Sequence, residues 1–349
     1  MTAPAWLDSN FMRACRGEPV TRTPVWFMRQ AGRYMPEYRA IKEMSSFLEM
    51  CRTPDLAVEI TLQPVRALGV DAAILFSDIL ITVPAMGLQV EFNPGPHIPH
   101  PVRSRADVDA LRVPSPEEAV PFVLEAIRRL RRELPANVPL IGFCGAPWTL
   151  ACYMAEGGGG KEPTRMKRLC YEDPATAAAL LDKLAATNAA YLTAQIAAGV
   201  QAVQIFDTWA SLLHAEDYAR WSLPYVQRMI ASIHAAGGDD FAAPIIYFAR
   251  ESGALLSQAT TTGADVLSVD WRVPLDAARR TVGGALALQG NLDPWALFAP
   301  WEELRRHADV VLRQAGTQPH IFNLGHGILQ ETPVDNVRRL VDHVHARVR

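Results

Sequence analysis

Lysine is scarce in this sequence, and the motifs that mark several enzyme classes are missing. Lysine occurs only at Lys42, Lys161, Lys167 and Lys183. None of these falls at the end of a predicted strand, which argues against a Schiff-base aldolase. The five cysteines contain no C-x-x-C pair, a pattern typical of reduced thiols. Neither H-x-C nor H-E-x-x-H occurs, and no flavin, nicotinamide or pyridoxal signature is present.

Long apolar runs and a strong net charge are also missing. No run approaches the 18 apolar residues of a membrane-spanning helix, and the N-terminal stretch lacks the apolar region of a signal peptide. The net charge of −3 argues against a generic partner such as nucleic acid or an acidic membrane. We therefore expect a cytoplasmic, soluble protein that binds neither nucleic acid nor membrane.

Eight short apolar stretches recur along the chain, most of them followed by a helical pattern. Most are continuous and do not alternate, as expected for parallel strands covered by helices. They are Val25–Met28, Val70–Phe76, Pro139–Cys144, Gln201–Phe206, Pro244–Phe248, Asp265–Val269, Ala285–Gln289 and His320–Leu324. Eight such units predict one domain, residues 1–349, folded as a single (β/α)₈ TIM-type barrel. A doubly wound sheet is the alternative, but no G-x-G-x-x-G opens the first helix.

Such a barrel carries its active site at the C-terminal ends of the strands, and polar residues collect there in this sequence. In strand order they are Arg29 and Arg33, Asp78, Tyr153 in the loop after strand three, Asp207 and Thr208, Arg250, Asp270 and Trp271, Asn291, and His326 between two glycines.

Arg29 and Arg33 stand where the first strand opens into a turn, within the stretch PVWFMRQAGRYMPEYR. Gly32 lets the backbone turn sharply enough to aim both guanidiniums inward. Two arginines at the mouth of a buried strand suit a carboxylate or a phosphate ligand. The alternative is a pair of solvated arginines in a turn.

Three other residues have both a functional and a structural interpretation. Asp78 lies in the apolar run ILFSDIL, where a carboxylate is expected to be paired or hydrogen-bonded, either to a ligand or as a helix cap or salt bridge. His326 can bind an anion or shuttle a proton, or it can be a turn histidine. Tyr153 can hydrogen-bond a ligand or serve as a packing residue.

Two stretches resemble the signatures of a known family. PVWFMRQAGRYMPEYR, residues 24–39, and GFCGAPWTLACYM, residues 142–154, resemble those of the uroporphyrinogen decarboxylase family. The likeness runs from about Asn10 through the NLGHGI turn to the final helix. The resemblance implies a distorted barrel, a homodimer with facing clefts, and no metal or organic cofactor. The implied reaction is a carboxy-lyase step of heme biosynthesis, in which the four acetate side chains of uroporphyrinogen III become methyls, giving coproporphyrinogen III and four CO₂.

The resemblance also implies roles for individual residues. Arg29 and Arg33 would receive substrate carboxylates, and Asp78 would accept the pyrrole N–H groups and stabilise a developing cation. Arg29 and Asp78 are the predicted catalytic residues. Further substrate-binding positions are Gln30, Ala31, Gly32, Tyr153, Thr208 and His326, with Thr208 standing where many relatives carry serine. The donor of the ring proton stays open among Arg29, Tyr153 and His326 acting through a water.

Three other functions compete with this one. Corrinoid-linked methyltransferases share the barrel but would need a thiolate and a histidine on zinc, for which the H-x-C pattern is missing. A non-enzymatic tetrapyrrole carrier would keep the arginines without needing a buried acid. A barrel enzyme acting on sugar phosphates is the third alternative.

Overall fold

The computed structural model describes residues 4–92, 95–160, 162–237, 242–284 and 286–347. Its strands β1 to β9 are Ala73–Ile74, Glu91–Phe92, Pro96–His97, Leu140–Gly145, Ala202–Asp207, Ile245–Ala249, Val266–Ser268, Ala287–Leu292 and His320–Leu324. Helices α1 to α17 are Asn10–Cys15, Pro36–Met44, Phe47–Arg52, Pro54–Leu68, Val83–Met86, Arg105–Ala110, Pro116–Ala119, Pro121–Glu133, Pro147–Glu156, Thr164–Glu172, Pro174–Ala198, Ala215–Trp221, Leu223–Ala236, Leu256–Ala259, Leu275–Val282, Trp301–Ala315 and Val334–His345. Three 3₁₀ helices are Ala210–Leu212, Ser252–Leu255 and Pro294–Phe298.

Seven of the strands form one curled parallel sheet in the order β1-β4-β5-β6-β7-β8-β9. The register is continuous, with Ile205 beside Tyr247 and Gly290 beside Phe322. Every residue of β6 is buried, as expected for a parallel strand covered on the outside by helices. The predicted α/β barrel is confirmed. The strand predicted over Val70–Phe76 contracts to two residues, and the one predicted from residue 285 begins, within the described residues, at Ala287.

The predicted first strand, Val25–Met28, is not a regular strand, yet it fills the gap between β9 and β1. Val25 forms a single parallel bridge with Phe322. Beside the Asp71 N–H, which donates to the Val25 carbonyl at 2.8 Å, side chains supply further bonds. The Val25 N–H donates to an Asp71 carboxylate oxygen at 2.8 Å, and the Met28 N–H donates to Asn323 Oδ1 at 3.0 Å. The distortion of the barrel therefore lies at the start of the stretch PVWFMRQAGRYMPEYR, residues 24–39.

The barrel interior also contains a polar network that hydrophobic patterning does not predict. Trp26 Nε1 donates to Gln289 Oε1 at 2.9 Å, and Gln289 Nε2 donates to Gln204 Oε1 at 3.1 Å and to Ser268 Oγ at 3.0 Å. Both glutamines are fully buried. A connected network of this kind fixes the relative positions of the strands that it joins.

Several helix boundaries follow the punctuation of the sequence. The longest helix, α11, begins after Asp173, whose side chain caps the Thr176 N–H at 3.1 Å, and it ends at Gly199. In the described part of the chain, no helix is long and apolar enough to cross a membrane. The five cysteines are free and buried. Burial raises the pKa of each of these thiols.

Candidate active site

Arg29 occupies an unusual backbone position at the mouth of the barrel. Its φ is +62°, in the left-handed region that non-glycine residues seldom adopt. The sharp turn therefore falls at Arg29, whereas Gly32 has no positive φ. A Cβ atom on Gly327 would lie 2.5 Å from Arg29 Cδ, so only glycine at 327 leaves room for this side chain. Segments far apart in the sequence, at residues 29 and 327, thus meet at Arg29.

Asp78 lies after β1 and is half-buried. One carboxylate oxygen accepts the Leu80 N–H at 2.8 Å. Burial raises the pKa of Asp78 to about 6, and both the Leu80 N–H and the positive charge of Arg29 oppose that rise. The carboxylate is therefore mostly ionised above pH 7 and retains acceptor capacity for a ligand.

Tyr153 lies on helix α9, which follows β4, so it is not in a loop as the sequence predicts. The side chain is half-buried, and its ring packs 5.1 Å from the ring of Trp209. Burial raises the pKa of the Tyr153 phenol, and the negative charge of Asp78 adds to the rise while that of Arg29 opposes it. The phenol is a neutral hydrogen-bonding group at physiological pH.

His326 lies between two aromatic rings just after β9. Its ring stacks 6.0 Å from that of Phe248 and 6.3 Å from that of Trp271, at interplanar angles of 17° and 9°. Burial lowers the pKa of His326 to about 3, helped by the positive charges of Arg29, Arg250 and Arg272. The imidazole is therefore neutral at physiological pH.

Arg29 is close enough to Asp78, Tyr153 and His326 for its positive charge to lower the pKa of each. These four predicted site residues follow the segment Val25–Met28 and the strands β1, β4 and β9, and they meet at one face of the barrel. That is the face where barrels of this type place their chemistry.

The remaining predicted residues are more peripheral or differently engaged. Gln30 is fully buried, its side chain accepting the Phe27 N–H at 3.1 Å and donating to the Ala72 carbonyl at 3.0 Å. Arg33 is exposed. Burial raises the pKa of the nearby Tyr38 phenol, and the positive charge of Arg33 opposes that rise. The three others are half-buried around the same mouth: Ala31, Gly32 and Thr208.

Within the described residues, no group of three or more His, Cys, Asp and Glu side chains is placed to hold a metal ion. A cavity of about 810 Å³ lies at the opposite end of the barrel, lined among others by Arg22, Asp71 and Asn137. The ends of barrels where strands begin usually serve stability, so we place the chemistry at the mouth around Arg29 and not in this cavity.

Comparison with known proteins identifies the family. Residues 7–347 match the model of the family described as uroporphyrinogen decarboxylase (URO-D). The chain belongs to the uroporphyrinogen decarboxylase family. This confirms the family predicted from residues 24–39 and 142–154.

Curated relatives are similar over almost the whole chain. A uroporphyrinogen decarboxylase of Syntrophotalea carbinolica is 53% identical over 339 residues, covering 97% of this chain and 97% of that protein. One from Roseiflexus sp. strain RS-1 is 53% identical over 340 residues, covering 97% and 98%. Among solved structures, a methyltransferase from Methanosarcina mazei matches with a TM-score of 0.80 at 20% identity, covering 96% of this chain and 97% of that one. A likeness at that identity shows the shared fold alone.

Sequence reasoning about this uroporphyrinogen decarboxylase family member missed a charged cluster at the ends of β6 and β7. The sequence marks Arg250 and Asp270 only as residues that follow strands, and it does not distinguish the other two residues of the cluster, Glu251 and Arg272. Their signal was weak, because charged residues next to strand ends are common on protein surfaces. Asn291, which the sequence predicts to follow a strand, lies within β8 and donates to the Asp270 carbonyl at 2.9 Å.

Proposed function

We propose that this chain is a carboxy-lyase that decarboxylates the four acetate side chains of uroporphyrinogen III to methyls, giving coproporphyrinogen III in heme biosynthesis. The observation that carries the proposal is the meeting of Arg29, Asp78, Tyr153 and His326 at one barrel mouth. Membership of the family and 53% sequence identity to a curated decarboxylase over 97% of this chain support the proposal.

Substrate binding is assigned to the arginines and to the polar groups around them. Arg29 and Arg33 bind carboxylates of the substrate, a role that suits the fork of donors on a guanidinium. Further contacts come from the predicted wall and rim residues Gln30, Ala31, Gly32, Tyr153, Thr208 and His326. Gln30 contributes through its backbone, because its side chain is held between Phe27 and Ala72.

Asp78 accepts the pyrrole N–H groups and stabilises positive charge on the ring during the reaction. A proton added to the ring α-carbon next to the carbon that bears the acetate gives a cationic pyrrole, in which the acetate-bearing carbon stays conjugated to the C=N⁺ bond. The electron pair of the C–CO₂⁻ bond then moves into the ring and CO₂ leaves. A second proton on the exocyclic carbon and loss of the first from the ring complete the methyl group, so each step consumes one proton. An ionised carboxylate beside the cation lowers the barrier electrostatically, and the apolar wall around Asp78 strengthens the effect.

The neutral state of His326 narrows the choice of proton donor. With a pKa of about 3, this histidine holds no imidazolium proton at physiological pH. We therefore assign His326 to hydrogen bonding and stacking. Proton delivery is assigned to Arg29 or Tyr153, both of which carry N–H or O–H protons at this pH.

We further propose a cytoplasmic homodimer of one 349-residue domain that works without a cofactor. Pairing between Val25 and Phe322, near opposite ends of the chain, supports one domain. Trp295 and Phe298, 56% and 41% exposed, form an apolar surface after β8 that a partner subunit would cover. The five free cysteines suit a reducing compartment. The protonated pyrrole is itself the electron sink, so the chemistry requires no cofactor.

The test is anaerobic incubation of the purified, metal-stripped protein with uroporphyrinogen III, followed by oxidation and chromatography of the porphyrins. We expect species with seven, six, five and four carboxylates to appear in turn. Binding without loss of any carboxylate would instead make the protein a carrier. Absence of both would show that the arginines serve another anion.

A further inference from the structure

A second pair of arginines lies at the barrel mouth, on the side away from Arg29 and Arg33. Arg250 follows β6, and Arg272 follows β7 by four residues. The positive charges of both help to lower the pKa of His326, as that of Arg29 does. Their side chains are 38% and 46% exposed, so they are accessible at the mouth.

One carboxylate oxygen holds both guanidiniums. Glu251 Oε1 lies 3.0 Å from Arg250 Nη2 and 3.0 Å from Arg272 Nη2. Arg250 Nε is buried and has no hydrogen-bond partner. The two arginines therefore have more donor capacity than Glu251 uses, and Arg250 has a buried donor that an incoming acceptor can satisfy.

Arg272 is held in place independently of Glu251. Its Nη1 lies 3.1 Å from both carboxylate oxygens of Asp270, which is fully buried, and its guanidinium lies 3.8 Å from the centre of the Trp271 ring. Arg272 thus keeps its position at the mouth if Glu251 moves away.

Glu251 itself sits on a strained backbone at an exposed turn. Its φ is +52°, and its N–H donates to Asp270 Oδ2 at 3.1 Å. That backbone bond fixes the start of the side chain beside the arginines, while the side chain is 36% exposed, which leaves its carboxylate a path toward solvent. A residue held in this rarely adopted conformation is a common feature of functional turns.

We propose that Arg250 and Arg272 form a second carboxylate-binding subsite of the cleft, and that Glu251 is an internal carboxylate that occupies this subsite until a substrate carboxylate displaces it. The proposal rests on the proposed function, because it takes the ligand to be a polycarboxylate tetrapyrrole. With Asp270 and Glu251 in place the four side chains carry no net charge, and displacement of Glu251 exposes one positive charge to the ligand. Glu251 therefore weakens the binding of every polycarboxylate at this subsite, product included.

The test uses uroporphyrin, the oxidised octacarboxylate, as a probe that requires no turnover. Its binding is followed by quenching of tryptophan fluorescence, and KM and kcat for uroporphyrinogen III are measured in parallel. We expect Glu251→Gln to tighten uroporphyrin binding and to lower KM by about three- to tenfold, with kcat changed less than about twofold. The double variant Arg250→Gln/Arg272→Gln should weaken binding by about tenfold or more.

A charge-matched control variant and a double-mutant cycle distinguish an effect at the subsite from a general effect of removing one negative charge. Glu59→Gln removes the same charge from an exposed pair with Arg66 on the outer helix α4, and it should leave binding within about twofold of wild type. In the arginine double variant, Glu251→Gln should lose its tightening effect. Thermal unfolding of each variant verifies that it is folded.

Three results would overturn the proposal: no tightening in Glu251→Gln, the same tightening in Glu59→Gln, or tightening that persists without the arginines. Failure of the proposed decarboxylation would show as absent turnover in the wild type, and the uroporphyrin titrations would still decide the subsite.

Discussion

Two aspartates at strand ends of the same barrel have opposite surroundings. Asp207 ends β5 and is fully buried, whereas Asp78 follows β1 and is half-buried at the cleft. Burial raises the pKa of both carboxyl groups. What differs is how many protein groups donate to each carboxylate.

The carboxylate of Asp207 is saturated by the protein itself. It accepts hydroxyl groups from Thr149 at 2.7 Å, Ser222 at 2.6 Å and Tyr247 at 2.9 Å. Among the residues that the structure describes, the Asp78 carboxylate accepts one donor, the Leu80 N–H. A buried acid whose donors all belong to the fold contributes to structure, and one with unused acceptors facing a cleft is available to a ligand. Position at a strand end does not separate the two, but their hydrogen-bond partners do.

The largest expected effect is on turnover at Asp78. Asp78→Asn keeps the size of the side chain but removes the charge that we propose stabilises the cationic ring, so kcat/KM should fall by about 10²–10³-fold, the scale of losing an oxyanion-hole donor. The measurement is initial rates of carboxylate loss under anaerobic conditions. Activity within a factor of ten of wild type would contradict the assigned role.

The same substitution at the other aspartate should act on folding. Asp207→Asn replaces one acceptor oxygen with an amide NH₂ group, itself a donor, that faces hydroxyl donors, and the free energy of unfolding should fall by about 2–3 kcal/mol. Urea unfolding measures the change, and kcat should stay within a few-fold of wild type. Tyr247→Phe, which removes one donor and leaves the acid, is the matched control and should cost about 1 kcal/mol. A loss of turnover without loss of stability would place Asp207 in the chemistry.

A smaller effect is expected on the stability of Asp78→Asn, which should rise where that of Asp207→Asn falls. The Asp78 pKa of about 6 in the folded protein exceeds the ordinary value of 3.8, so the folded state binds the proton more tightly than the unfolded state does. The stability that this proton contributes is fully present below pH 4 and is lost as pH rises through 6. At pH 7.5, Asp78→Asn should therefore raise the free energy of unfolding by about 1–2 kcal/mol, allowing for water in the cleft. Urea unfolding at pH 4 and pH 7.5 tests this, and a gain that does not grow with pH would refute it.

The smallest expected change is in the pH dependence of kcat/KM, whose acid midpoint should hardly move when His326 is replaced. If ionised Asp78 is required, kcat/KM should fall on the acid side with a midpoint near pH 6. Because His326 is neutral down to a pKa of about 3, His326→Gln should lower activity while moving this midpoint by less than about 0.3 units. A midpoint that disappears in His326→Gln would assign the acid limb to the histidine.

The sequence predicts the barrel and the side of it where polar residues gather, because parallel buried strands have a continuous apolar pattern and active sites follow their C-terminal ends. It does not predict that Val25–Met28 bonds through the side chains of Asp71 and Asn323, since those contacts depend on residues far away in the chain. For the same reason it cannot separate Asp78 from Asp207. The partners of Asp207 come from α9, β6 and the start of α13, and no local pattern connects them.

The bond between Met28 and Asn323 joins residues 295 positions apart, and Ile328 adds a second one at 2.9 Å to the Met28 carbonyl. During translation the segment that carries Arg29 is therefore among the first to leave the ribosome and among the last to be fixed in place. A nascent or truncated chain that ends before residue 323 lacks these anchors for Arg29. Completion of the polypeptide is thus itself a condition for assembling the proposed catalytic face, and prematurely terminated products should be inactive even when most of their strands have formed.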